Sequence, residues 1–149
     1  MRPAPRRLCH TDGMTTVFLI IGAVFVGIAG LIHLAIFLFE SVLWSRPTTW
    51  KRFGVKNQEE ADILRPMAYN QGFYNVFLAL GAGAGLVMLA SSNVQQAGAA
   101  LSIFVLLSML LAAVVLLFSN PKLARAAAFQ GTAPLIGLIF LILAITTAS

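Results

Sequence analysis

One cysteine, five acidic residues and two histidines are all that 149 residues offer of the side chains most often used for chemistry. The single thiol, Cys9, excludes an internal disulfide, a CxxC redox centre and a cysteine-based structural zinc site. There is no paired-histidine motif, so no metal ligand set is expected. A Ser/His/Asp arrangement is equally missing, because Asp12 and Asp62 both fall outside the apolar stretches. The run Gly81-Ala82-Gly83-Ala84-Gly85 lies inside an apolar stretch and lacks the lysine that a phosphate-binding loop requires. No cofactor is indicated.

Charge is the scarcest commodity. Only 10% of the residues are charged and 59% are hydrophobic, with a mean hydropathy of +0.89, whereas a soluble domain carries about a quarter charged residues. The charges cluster as well, leaving uncharged gaps of 27 residues (13–39), 56 residues (66–121) and 24 residues (126–149). Since a helix needs roughly 20 apolar residues to cross a hydrocarbon core, the outer gaps hold one crossing each and the middle gap two. The polar run Ser91-Ser92-Asn93-Val94-Gln95-Gln96 divides the middle gap. The expected fold is all-α, a bundle of four transmembrane helices at about 15–43, 67–90, 97–119 and 132–148, joined by short loops.

The net charge of +5 does not point to nucleic acid, because the basic residues flank hydrophobic spans and read as topology signals. Arg46, Lys51, Arg52, Lys56 and Arg65 lie in the first loop, Lys122 and Arg125 in the third, and none in the second loop or the C-terminus. The positive-inside rule therefore predicts an inner-membrane protein with loops one and three in the cytoplasm and both termini outside. Arg2, Arg6 and Arg7 oppose this, three against seven. A start at Met14 would leave residues 1–13 of an N-terminal extension (1–14) untranslated and remove the opposition; the sequence leaves both starts open. A cleaved signal peptide fits less well, because the apolar run is longer than an h-region.

Within the first loop, Asn57 followed by Glu60 has the spacing of a helix cap, predicting a short surface helix over 58–64 that Pro66 ends. Trp44 and Trp50 bracket Arg46 and Pro47 and are expected to anchor the chain at headgroup level, as are Tyr69 and Tyr74. Asn120-Pro121 predicts a helix start for a basic surface stretch to Phe129, after which Gly131 and Thr132 break and recap the chain and Pro134 sits in the fourth helix's opening turn. Ala23, Gly27 and Gly30 in the first span, and Gly81 and Gly85 in the second, predict close helix packing and leave room for a dimer face.

Strongly polar residues in or at the edges of the spans are few enough to be candidate functional residues: His33, Glu40, Asn70, Gln71, Asn75 and Gln130. His33 and Glu40, seven apart, share a helix face, and Gln71 and Asn75, four apart, share another. The topology brings Glu40, Asn70, Gln71, Asn75, Asn120 and Gln130 to one leaflet, with His33 about 10 Å deeper than Glu40 at 1.5 Å per residue. Such a cluster reads as a polar pocket for a small molecule or lipid headgroup, or as a proton path between Glu40 and His33. Against this stands a purely packing role, with amides tying helices together and Glu40 paired to Arg46 or Arg65.

The combination of Glu40 with Trp44, the block Asn70-Gln71-Gly72-Phe73-Tyr74-Asn75, Phe77-Leu78-Ala79 and Gln130-Gly131-Thr132-Ala133-Pro134 resembles a family of small bacterial four-helix membrane proteins catalogued as a domain of unknown function. The resemblance spans about residues 15–148 and implies a fold and a membrane location, with no mechanism attached. Three functions stay open: a ligand- or lipid-binding membrane protein, an accessory subunit or homo-oligomer packed by its glycine faces, and an enzyme using Glu40 and His33 as acid and base, the last with least support.

Overall fold

The computed structural model describes residues 11–148, and residues 1–10, with Arg2, Arg6, Arg7 and Cys9, lie outside the described part. Helix α1 (Thr11–Phe37) continues into a π-helical turn (Leu38–Val42). A short α2 (Pro47–Trp50) and a 3-10 turn (Lys51–Phe53) follow, then α3 (Gln58–Leu89), α4 (Gln95–Ser119), a 3-10 turn (Pro121–Leu123) and α5 (Ala124–Ala148). No strand occurs among the described residues. Four helices are long and apolar enough to cross a membrane, which fits a multi-pass membrane protein.

These four pack in cyclic order, α1 against α3 and α5, and α4 against the same two, with α1 and α4 diagonal. Small residues set the spacing. A Cβ on Gly30 would lie 3.3 Å from the Ala82 Cβ, and one on Gly81 would lie 2.9 Å from the Val105 Cγ2, so α3 presents one small-residue stripe to α1 and another to α4. The Gly81/Gly85 face is thus filled by α4 of the same chain, which removes it as a dimer face. Val26, Ala29, Leu106, Met109 and Leu141 fill the centre with no exposed surface.

Two local expectations are corrected. Pro66 does not end a short helix, for α3 runs through it from Gln58 to Leu89. The cap itself forms, with the Glu60 amide donating to Asn57 Oδ1 at 2.8 Å, while the Glu60 carboxylate accepts from the Lys56 amide at 3.0 Å. A proline removes one backbone bond, and the capped turns before it and the packed turns after it hold the helix together. Gly131 and Thr132 do not break the chain either. Gly131 is buried where α5 closes on Ala113, and the Thr132 hydroxyl donates to the Ala128 carbonyl at 2.7 Å, bonding back along its own helix instead of capping a new one. Pro134 consequently sits well inside α5, and Asn120 makes no side-chain cap.

Trp44 and Trp50 pack inward. Both are buried, at 6% and 4% exposure, in a small second core with Val55, Ala61 and Ala68. Trp44 donates its ring N–H to the Ala61 carbonyl at 2.9 Å. Their rings fold the first loop onto the start of α3 instead of facing outward, because α3's extra turns offer Ala61 and Ala68 as small platforms. Tyr69 and Tyr74 are more than half exposed.

Candidate functional site

Where α1 meets α3, the chain departs from regular helix. The Leu43 amide donates to the Leu38 carbonyl at 2.8 Å, an i to i−5 bond that widens the turn carrying Glu40 and Ser41. Both side chains are directed at α3 as a result. The Ser41 hydroxyl donates to the Tyr69 carbonyl at 2.9 Å, and the Asn75 amide donates to Glu40 Oε2 at 2.9 Å. Asn75 also reaches the Gln71 carbonyl at 3.1 Å, which fixes its orientation. Gly72 lies between these contacts, and a Cβ there would collide with Ser41 Oγ and stand 3.2 Å from the Glu40 Cβ.

His33, about two turns deeper on α1, is buried and donates from Nδ1 to the Ala29 carbonyl at 2.9 Å. A carbonyl only accepts, so this bond assigns the proton to Nδ1 and leaves Nε2 as an acceptor. Among the described residues no hydrogen bond reaches Nε2.

A cavity of about 720 Å³ opens between α1, α3, α4 and α5 at the basic end of the molecule. His33, Glu40, Gln71, Asn75 and Gln130 all line it, although they come from three helices and span almost a hundred positions of sequence. Ile36, Phe39, Leu116 and Phe129 form its apolar walls. Asn70 is exposed and does not line the cavity, since it lies about 100° around the helix from Gln71. Asn120 is also exposed, and its neighbour Ser119 takes the place at the rim. The carboxylate's partner is the Asn75 amide and not Arg46 or Arg65.

Sequence reasoning missed four participants. Arg52 and Arg125 line the cavity, and Ser41 and Gly72 position Glu40. The arginines carried a topology signal that concealed any second role, and Gly72 lay inside the block around Gln71 without a polar atom to mark it. Among the described residues no group of three or more His, Cys, Asp or Glu side chains could hold a metal ion. The arrangement instead offers hydrogen-bond acceptors on the wall of a half-open, largely apolar cavity and cations at its edge, a pattern suited to orienting a ligand.

Residues 27–142 match the model of a family described as "Protein of unknown function (DUF1304)". The chain belongs to this family. The stretch shared with the DUF1304 family contains every side chain of the cavity, from Ile32 on α1 to Gln130 on α5. No curated protein and no solved structure matches the chain.

Proposed function

We propose that this DUF1304 protein is a small integral membrane protein that binds a small molecule or lipid headgroup in the cavity at its basic end. The observation that carries the reading is the convergence of five polar residues from three helices on one half-open cavity, with Glu40 and His33 buried in its wall. Polar side chains are costly in a membrane interior, and a role only in packing would have them satisfy one another. Here one Glu40 oxygen and His33 Nε2 find no partner among the described residues, while Gln71 and Gln130 share the same space. A ligand supplies the missing donors. An acid–base reaction by Glu40 and His33, or service as a subunit of a larger assembly, has no comparable observation behind it.

The proposed setting is the inner membrane with the cavity open toward the cytoplasmic leaflet. Arg52 and Arg125 share the cavity's rim, so loops one and three lie at one end of the molecule, the end that the positive-inside rule assigns to the cytoplasm.

Mass spectrometry of small molecules extracted from protein purified in mild detergent tests the binding. The wild type should carry an enriched, near-stoichiometric molecule that Glu40→Gln loses, although this variant keeps the shape and the hydrogen-bonding capacity of the side chain and should express and fold normally. Equal extracts from the two proteins would sink the reading.

A further inference from the structure

The charges around the cavity specify what kind of occupant it takes, an inference that rests on the ligand pocket argued above. Glu40, Arg52 and Arg125 line one space, yet among the described residues none of the three has an ion-pair partner. Glu40 is 9% exposed and has one hydrogen bond, from Asn75 to Oε2. Arg52 lies with its guanidinium 5.3 Å from the ring of Phe39, the residue beside Glu40, and both arginines are solvent-exposed. A buried carboxyl group therefore faces a cavity whose rim carries two cations from different elements, the 3-10 turn of the first loop and the start of α5.

A simple cation would meet the rim charges on its way in, and a simple anion would meet the carboxylate at the end of its path. A molecule carrying both charges a few bonds apart answers each group with its opposite. Two guanidiniums from separate elements suit phosphate, whose several oxygens accept from both at once. An ammonium offers three donors and a positive charge to the Glu40 carboxylate, one of whose oxygens has no partner among the described residues. We propose that the cavity binds an aminoalkyl phosphate, with its ammonium on Glu40 and its phosphate between Arg52 and Arg125. The same chemistry occurs in a free phosphoamine and in an aminophospholipid headgroup. Val115 and Phe129, 64% and 67% exposed while lining the cavity, give it an apolar flank along which acyl chains could leave.

The test is binding to the full chain in mild detergent, read as the shift in thermal midpoint during titration. The probes are O-phosphoethanolamine, ethanolamine, inorganic phosphate, and short-chain phosphatidylethanolamine in mixed micelles. At least one phosphoethanolamine-bearing probe should bind tenfold or more tightly than ethanolamine or phosphate alone. Binding of the lipid only assigns the headgroup source, and binding of both shows that the free molecule suffices. Glu40→Gln should weaken that binding at least tenfold, and so should Arg52→Gln with Arg125→Gln, an exposed pair, with the ligand-free thermal midpoint of each variant checking that it folds. The assignment is overturned if ethanolamine or phosphate binds equally well, if neither phosphoethanolamine-bearing probe binds, or if both sets of variants bind like the wild type. A wild-type extract that still holds a different molecule, lost in Glu40→Gln, would then keep the pocket and discard only this occupant.

Discussion

Gly72 is the residue on which the polar wall of the cavity depends. It lets the π-helical turn of α1 approach α3 closely enough for Ser41 to reach the Tyr69 carbonyl and for Glu40 to reach Asn75. Gly72→Ala should push these segments apart, and overpacking of this kind costs about 1–3 kcal/mol. Gly83, where an added Cβ meets nothing within 4 Å, is the control, and Gly83→Ala should be neutral or slightly stabilising. Unfolding midpoints in a denaturing detergent measure both, and a Gly72→Ala protein as stable as Gly83→Ala would contradict the close packing. Polar residues were legible from the sequence because they are rare in an apolar chain, which is how His33, Glu40, Gln71, Asn75 and Gln130 stood out. Gly72 and Ser41 carry no such signal. Their importance comes from a departure from 3.6-residue periodicity, and nothing in the composition of Leu38–Val42 announces an i to i−5 bond.

At the scale of elements, the uncharged gaps located the four long helices because a membrane interior excludes charge whatever the local propensity. Their ends were less legible. Proline and glycine signal boundaries by rules drawn from water-exposed chains, and in α3 and α5 both residues occur within continuous helix. Gly131 serves the contact with Ala113, a tertiary reason that a single sequence cannot display. The Asn57 cap was readable because its spacing to Glu60 is purely local. Trp44 and Trp50 had the composition of an aromatic belt, but the partners that bury them, Ala61 and Ala68, belong to the stretch of α3 on either side of Pro66.

For the molecule as a whole, the distribution of charge and the arrangement of helices point the same way. The seven basic residues of the first and third loops are all exposed, and two of them frame the cavity. Alkaline phosphatase fused after Ser149 should therefore be active, and a cytoplasmic reporter at the same point silent; the opposite pattern would invert the proposed orientation and place the cavity at the outer leaflet. The central claim is that the space between α1, α3, α4 and α5 is a binding site. The most direct measurement is an experimental density map of the wild-type protein in native lipid. A binding site predicts discrete density that neither protein nor water accounts for, in contact with Glu40 and Asn75 and extending toward Arg52 and Arg125. A cavity closed by α4 and α5 moving in to satisfy Glu40, or one holding water alone, would contradict it.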